Sequence, residues 1–326
     1  MALLEVRDLR IEFATPQGPA AILDGVDLSL ERGRSLGLVG ESGCGKSMTA
    51  LAIMGLLSEQ ARVSGTIAFD GEDLLALPEP ALCRLRGRRI SMIFQEPMTA
   101  LNPVKTIGRQ VAEGLHRHLR LGRTEAEARA ARLLDRVGLP GQRFPLSLYP
   151  HQLSGGQRQR VMIAAAMACG PDLLIADEPT TALDVTLQAQ VLDLIAELVE
   201  SEGLALLLIA HDLGVVAEMA DAVAVMYSGR IVEAGPATAV FGAMAHPYAR
   251  GLFAAMPKGP GDGTTADRLA TIPGQVPDPA GRPLGCAFAP RCSQAQDLCA
   301  AEPPVESLSA GHWVRCRYPQ RGTATA

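Results

Sequence analysis

One segment near the N-terminus restricts the fold more than any other, because it joins an apolar strand to an apolar helix through a glycine-rich loop. Residues 34–39 are predicted to form the strand and residues 48–57 the helix. The loop and the first helical residue are Gly40-Glu41-Ser42-Gly43-Cys44-Gly45-Lys46-Ser47-Met48. Glycines let the backbone curl until successive N–H groups face an anion, and the start of the helix adds positive potential. The pattern predicts a nucleoside-triphosphate site in which Lys46 neutralises phosphate charge, Ser47 binds Mg²⁺ and the Cys44 thiol is incidental.

A second segment places two carboxylates at the end of a buried strand. Residues 173–176 are a short apolar run, and Asp177 and Glu178 follow it directly. Together with a phosphate loop, this pair predicts Asp177 as a Mg²⁺ ligand and Glu178 as the group that polarises the attacking water. Taken alone, the pair fits a solvated acidic turn equally well.

A third segment is also rich in glycine. Leu153-Ser154-Gly155-Gly156-Gln157 precedes a predicted helix that runs to about Cys169. Backbone N–H groups and a serine hydroxyl at a helix N-terminus can bind an anion, although an ordinary capped helix start has the same appearance. Physics alone does not explain why one chain carries two anion-binding elements.

Composition limits the function classes. The hydrophobic content of 48% allows a sizeable core, and the net charge of −5 argues against nucleic acid as the main partner. No apolar run approaches the roughly 18 residues that a membrane-spanning helix needs. We therefore expect a cytoplasmic protein that partners hold at a membrane, if it works at one.

Residue patterns along the chain predict an alternation of strands and helices. The predicted strands are 4–13, 24–31, 34–39, 66–69, 90–94, 173–176, 204–210, 223–227 and 230–233. Ser228-Gly229 is predicted to be a tight hairpin turn, and Thr124 with Glu127 a capping box ahead of a helix that ends near Gly138. Residues 97–165 are predicted to be largely helical, and 257–284 to be a Pro/Gly-rich linker.

The segment Leu153–Gln157, followed by Arg158-Gln159-Arg160, resembles the signature of the ATP-binding-cassette family. In that family two cassettes dimerise head to tail, so that the signature of one chain closes over the nucleotide at the phosphate loop of the other. The resemblance also assigns Gln95 as the Q-loop glutamine that touches Mg²⁺, Asp184 as the D-loop aspartate, His211 as the switch histidine and Phe13 as the aromatic residue that stacks on adenine. For Phe13, a place in the core is an equally good interpretation.

The resemblance implies an α/β fold of the P-loop NTPase cassette type. It has a mixed or parallel core sheet, an N-terminal antiparallel β subdomain and a helical subdomain. The cassette is expected over residues 1–256, with the helical subdomain at about 97–165. A linker and a small cysteine-containing extension are expected over 257–326. The implied activity is ATP hydrolysis coupled to transport.

Several further segments are similar to the oligopeptide, dipeptide and nickel importer branch. They are residues 95–103, 182–186, 246–248 and 272–274, and the tail from Gly285 to Cys316. This likeness implies two permease subunits, an extracytoplasmic solute-binding protein and a second ATPase subunit that is a different, homologous chain. It places the protein at the cytoplasmic face of the inner membrane. The substrate would be a di- or oligopeptide, with nickel or another small solute as the alternative.

The tail holds four of the seven cysteines: Cys286, Cys292, Cys299 and Cys316. Their spacing does not match the paired C-x₂-C pattern of zinc ribbons. Four thiolates suit a [4Fe–4S] cluster, and some members of the branch carry one there. Zinc and four free thiols stay open as alternatives.

Two other functions compete with the transporter interpretation. A soluble cassette ATPase of translation or repair would usually carry tandem cassettes, coiled coils or zinc insertions, and none is evident in the sequence. A redox-sensing module without enzymatic activity would not need the intact set Lys46, Glu178 and His211.

Overall fold

The computed structural model describes residues 2–16, 18–181, 183–256 and 271–320, without the side chains of residues 97 and 98. The strands are β1 (Ala2–Thr15), β2 (Gly18–Glu31), β3 (Ser35–Val39), β4 (Ala61–Phe69), β5 (Glu72–Asp73), β6 (Ile90–Ile93), β7 (Leu173–Asp177), β8 (Ala205–Ala210), β9 (Ala222–Tyr227), β10 (Arg230–Pro236), β11 (Val305–Ser309) and β12 (His312–Arg315). The α-helices are α1 (Lys46–Ile53), α2 (Glu79–Leu85), α3 (Pro97–Ala100), α4 (Ile107–Leu119), α5 (Arg123–Arg136), α6 (Gly155–Met167), α7 (Val185–Glu202), α8 (Leu213–Met219), α9 (Ala237–Ala243) and α10 (Pro247–Ala254).

The chain divides into two compact units. The phosphate-loop unit contains Ala2–Leu30, Ser35–Leu75 and Ile209–Ala326, and the signature unit contains Glu31–Arg34 and Ala76–Leu208. Residues 257–270 of the predicted linker lie outside the described residues, so the predicted domain boundary at residue 256 stays a prediction.

The phosphate-loop unit contains an antiparallel N-terminal sheet, as the sequence predicts. Its strand order is β2-β1-β4-β5, and β4 is antiparallel to both β1 and β5. Leu4, Val6, Leu9 and Ile11 of β1 are buried because alternate side chains of a strand point to the same face. The alternation shifts by one residue between Val6 and Leu9, where the register of β1 against β4 changes. Such a bulge lets β1 bury apolar residues on both sides of the shift.

A second group of strands in this unit follows the order β11-β12-β10-β9-β3. Strand β3 is parallel to β9, and the remaining pairs are antiparallel. The predicted turn at Ser228-Gly229 is confirmed, and both residues have positive φ, as a type I′ hairpin turn requires. The hairpin β11–β12 was not predicted from the sequence. Its strands are short and partly polar, and β12 is fixed by pairing with β10, far away in sequence.

The signature unit combines short buried strands with most of the long helices. Strand β6 is parallel to β7, and β8 lies beside β7. All residues of β7 and β8 are buried, as their continuous apolar sequences predict. Between β6 and β7, the described secondary structure is helical.

One local prediction in the signature unit is wrong. Helix α5 starts one residue before Thr124, at Arg123, and its N-cap is Gly122 without a side-chain hydrogen bond. Glu127 pairs instead with Arg123, one turn earlier. The helix is fixed by the burial of Ala126, Ala130 and Leu134 rather than by a capping box.

None of the helices among the described residues combines the length and apolar character that crossing a membrane would need.

Candidate functional site

The phosphate loop has the backbone that its glycines permit. Strand β3 ends at Val39 and α1 begins at Lys46, with Gly45 as its left-handed N-cap at φ 112°. A Cβ on Gly45 would lie 2.5 Å from Leu23 Cδ2, and one on Gly40 would lie 2.2 Å from the Met226 carbonyl oxygen. A side chain at either position would therefore force the loop away from the strands beneath it.

Lys46 lies over this loop and is almost completely buried. Its Nζ donates hydrogen bonds to the carbonyl oxygens of Gly40, at 2.8 Å, and Glu41, at 3.2 Å. Ser47 and Met48 follow in the first turn of α1. A lysine held at the loop and at a helix N-terminus is the arrangement that binds triphosphate oxygens.

Cys44 is part of the loop and is shielded from the solvent that would stabilise its thiolate. Its residue is 1% exposed, and burial raises the pKa of the thiol. Its carbonyl oxygen accepts a hydrogen bond from the Gly229 N–H at 2.8 Å. Cys44 therefore acts as a small apolar residue that joins the loop to the β9–β10 turn.

Glu41 is held by residues that the sequence patterns did not assign to this site. Its backbone N–H donates to Tyr248 Oη at 2.8 Å. Its carboxylate accepts from Arg291, Nη1 to Oε2 at 2.6 Å and Nη2 to Oε1 at 2.9 Å. Tyr248 and Arg291 are 207 and 250 residues away along the chain, so no local spacing could have indicated them.

Two further predicted residues belong to the same unit. His211 is exposed and follows β8 directly, ahead of Asp212, whose carboxylate caps α8 by accepting the Gly214 N–H at 2.7 Å. Phe13 lies near the end of β1, opposite Ala61 of β4, and is partly exposed. Their roles toward a nucleotide stay predictions.

In the signature unit, the structure brings Gln95 and Glu178 together. Gln95 follows β6 and Glu178 follows β7, and these strands are parallel with Ile93 opposite Ala176. Since parallel strands end at the same edge, side chains two residues beyond this pair are neighbours. Gln95 Nε2 donates to Glu178 Oε2 at 2.9 Å. Thr181 Oγ1 donates to the same oxygen at 3.1 Å.

The two carboxylates have different environments. Asp177 is the last residue of β7 and is 4% exposed. Glu178 is outside the strand and has a φ of 45°, which turns the chain sharply after Asp177. The roles of Asp177 in metal binding and of Glu178 in water activation stay predictions.

The signature segment forms a reciprocal cap. Ser154 Oγ accepts the Gln157 N–H at 3.3 Å, and Gln157 Oε1 accepts the Ser154 N–H at 2.9 Å. This capping box fixes the first turn of α6, which begins at Gly155. The N–H groups of that turn then lie at the positive end of a 13-residue helix.

The start of α6 is packed against the segment that follows Glu178. A Cβ on Gly156 would lie 2.3 Å from Leu187 Cδ2 in α7, so a side chain here would force Leu187 to move. Asp184 caps α7 by accepting the Leu187 N–H at 2.9 Å. Gln159, which belongs to the signature and for which the sequence predicted no separate role, is buried and donates to the Pro179 carbonyl oxygen at 2.6 Å. The signature helix, the Asp184 turn and the Glu178 turn are thus directly connected.

The four tail cysteines line one small cavity in the phosphate-loop unit. Its volume is about 20 Å³, and its walls also include His246, Pro247, Phe288 and Tyr318. All seven cysteines lie among the described residues, and none of them is in a disulfide there. Among the described residues, no three His, Cys, Asp or Glu side chains are placed to hold one metal ion. We call this cavity the four-thiol pocket.

Burial disfavours the thiolate form of three of these cysteines. It raises the pKa of Cys286 and of Cys292, and it raises the pKa of Cys316 to about 11. Thiols with raised pKa values are poor nucleophiles, and they need a nearby cation to become thiolates.

The sequence matches two known families. Residues 23–181 match the family described as "ABC transporter", and residues 232–299 match the "Oligopeptide/dipeptide transporter, C-terminal region". The oligopeptide transport ATP-binding protein OppD of Escherichia coli (strain K12) is 48% identical over 98% of this chain and 94% of its own length. OppD of Salmonella typhimurium is 48% identical over 97% of this chain and 94% of its own.

Solved structures agree with these matches. The ATP-binding cassette MJ0796, in a dimeric post-hydrolysis state bound to ADP and Pi, is 27% identical, with a TM-score of 0.65 over 72% of this chain and 98% of that one. The fold and the phosphate loop define an ATP-binding-cassette ATPase. This chain belongs to the ABC transporter family, in the branch that carries the oligopeptide/dipeptide C-terminal region.

Proposed function

We propose that this chain is the ATP-hydrolysing subunit of an importer of di- or oligopeptides. The observation that carries the proposal is the 48% identity to OppD, which extends over 98% of the chain and so includes both the cassette and the cysteine-containing tail. The partners are two permease subunits, a solute-binding protein and a second, homologous ATPase chain. The chain would lie at the cytoplasmic face of the membrane, held there by the permeases.

In this proposal the phosphate loop binds ATP. Lys46 and the N–H groups at the start of α1 hold the phosphates, and Phe13 stacks on adenine. Ser47, Gln95 and Asp177 offer the oxygen ligands that Mg²⁺ prefers. Asp177, at the end of the buried strand β7, would supply a carboxylate oxygen to this ion.

Glu178 would polarise the attacking water, and Gln95 and Thr181 hold its carboxylate in place. His211 would contact the γ-phosphate. Ser154 and the first turn of α6 would close over the nucleotide of the partner cassette, with Gly155, Gly156, Gln157 and Asp184 shaping that surface. Catalysis then rests on positioning and electrostatic stabilisation.

The Glu178→Gln variant tests this assignment. It keeps the shape and the hydrogen bond to Gln95 but cannot take a proton, so ATP should still bind while turnover falls about 100-fold or more. Steady-state phosphate release and nucleotide binding measure the two effects. Glu200→Gln, on the surface helix α7, is the matched control with unchanged turnover. Hydrolysis at the wild-type rate in Glu178→Gln would refute the role.

For the tail, we propose that Cys286, Cys292, Cys299 and Cys316 hold a [4Fe–4S] cluster. Four thiols facing one cavity supply the right ligand set. Each thiolate of a cluster binds its own iron, so the four need not converge on one point. The cluster irons would supply the positive charge that buried thiolates need.

Purification without oxygen tests the cluster. We expect about four iron atoms per chain and a broad absorbance near 400 nm, both lost in Cys299→Ser. Protein without iron under these conditions would refute it, and stoichiometric zinc would support the alternative metal.

A further inference from the structure

Three segments outside the nucleotide-binding motifs meet at one residue of the phosphate loop, Glu41. The segment 246–248 supplies Tyr248, whose hydroxyl accepts the Glu41 N–H. The tail supplies Arg291, which binds the Glu41 carboxylate through two nitrogen atoms. The segment 272–274 holds Arg291, since the Pro273 carbonyl oxygen accepts from Arg291 Nε at 2.8 Å.

All polar groups of Glu41 are engaged. Its N–H is bound to Tyr248, its carbonyl oxygen to Lys46 and its carboxylate to Arg291. The protein's own contacts therefore constrain the loop conformation at this position. Such preorganisation strengthens binding because less ordering is left for the ligand to impose.

Arg291 also neutralises the negative charge of the Glu41 carboxylate. A carboxylate in a phosphate-binding loop repels a triphosphate, and the bidentate ion pair neutralises it. The side chain of Arg291 is 5% exposed and that of Glu41 is 28% exposed. If the ion pair between Arg291 and Glu41 is broken, water can therefore replace only part of the lost interaction.

Residues next to Arg291 along the chain form walls of the four-thiol pocket, and one of them, Phe288, accepts the Arg291 backbone N–H at 2.9 Å. Arg291 ends a short 3₁₀-helix, and its neighbours Phe288 and Cys292 both line the pocket. The Phe288 ring packs on Tyr227 and Tyr248, with centroid distances of 5.2 and 5.3 Å. At about 20 Å³ the pocket has room for roughly one water. A larger occupant must move these walls.

We propose that Arg291 is a positioning residue for the phosphate loop, through which the occupant of the four-thiol pocket sets the affinity for nucleotide. The inference rests on the proposed function of the loop as an ATP site. It makes the tail a regulatory part of the ATPase. Because coupling between two sites is reciprocal, bound nucleotide also changes the affinity of the pocket for its occupant.

The test is titration of a fluorescent ATP analogue with Mg²⁺ into the full chain, purified without oxygen. Arg291→Met keeps the bulk and removes the charge, and we expect its Kd to rise about tenfold, within the range typical of coupled sites. Turnover at saturating ATP should stay within about twofold, which separates affinity from chemistry. Glu302→Gln is the matched control, since it breaks the ion pairs of the tail residue Glu302 with Arg230 and Arg315 and does not touch the loop.

Two double variants separate positioning from a general loss of structure. Arg291→Met/Glu41→Gln should regain most of the affinity, because the unpaired carboxylate is gone. Cys299→Ser should raise the Kd in the wild-type background and have no further effect in Arg291→Met.

The outcomes are distinct. An unchanged Kd in Arg291→Met, failure of Glu41→Gln to restore binding, or an equal effect of Cys299→Ser in both backgrounds would each overturn the proposal. Lys46→Ala reports on the underlying function. If the wild type binds no nucleotide, or if Lys46→Ala binds it equally well, the assignment of the phosphate loop as an ATP site is wrong.

Discussion

Glu178 adopts a backbone conformation that few residues other than glycine use, with φ at 45°. Such a conformation costs about 1–3 kcal/mol unless the surroundings supply compensation. Here the carboxylate accepts hydrogen bonds from Gln95 and Thr181. The sequence predicted both Gln95 and Glu178 as site residues, but not that the turn would bring them to 2.9 Å.

The buried side chain of His246 should make the stability of the fold depend on pH. His246 is 1% exposed, and its Nδ1 accepts the Tyr248 N–H, which requires that nitrogen to be unprotonated. Burial lowers the pKa of His246 from 6.5 to about 3. Between these values only the unfolded chain binds the proton, so the free energy of unfolding falls as the pH falls below 6.5.

Because of His246, the free energy of unfolding should fall by at most about 1.4 kcal/mol per pH unit. This corresponds to a fall of about 2–4 °C in melting temperature between pH 6.5 and 5.5. His246→Asn can still accept the Tyr248 N–H and should lose this part of the pH dependence. His116→Asn, at an exposed position, is the control. Thermal melts across this pH range measure the difference, and parallel curves for wild type and His246→Asn would contradict the prediction.

At the scale of elements, the starts of α6 and α7 form one structural cluster. Ser154 and Gln157 fix the first turn of α6, and Gly156 packs against Leu187 of α7. The sequence indicated the capped helix start, because a capping box is a local pattern. The contact between the helices depends on long-range packing, which no local pattern contains.

Two helix caps in the signature unit can be compared to distinguish an effect on stability from an effect on activity. Ser154 caps α6, and Thr106 caps α4 by accepting the Arg109 N–H at 3.4 Å. Replacing either by alanine should lower the free energy of unfolding by about 1 kcal/mol. Only Ser154→Ala should also reduce ATPase activity, by about tenfold or more, because its hydroxyl is proposed to meet the nucleotide of the partner cassette. Equal activity in the two variants would contradict that role.

At the scale of the whole molecule, the tail is part of the phosphate-loop unit. Strand β12 pairs with β10, and Glu233, which has no exposed surface, accepts hydrogen bonds from His312 and from the N–H groups of Ala245 and His246. The sequence predicts only a linker and a small extension after residue 256. The buried Glu233–His312 pair shows that its contacts with the cassette are specific.

Truncation after Met256 should therefore destabilise the cassette. It removes the partner of the β10 edge and leaves the buried Glu233 carboxylate without His312, a loss of about 3 kcal/mol or more. Truncation after Gln320 is the control, since it retains the described contacts, including the Gln320 N–H to the Ala245 carbonyl oxygen at 2.8 Å. Thermal melts and limited proteolysis compare the two. A stable, soluble 1–256 fragment would show that the extension is independent of the cassette.

Local sequence patterns were enough to predict the phosphate loop, the carboxylate pair and the signature. These are short contiguous motifs, because each uses backbone groups at a strand end or a helix start, and such local geometry depends on neighbouring residues. The distant residues that hold these motifs in place could be identified only from the folded chain. Arg291 on Glu41, Leu187 against Gly156 and the gathering of four cysteines around one pocket depend on how buried strands and helices pack, and packing joins residues that are 30 to 250 positions apart.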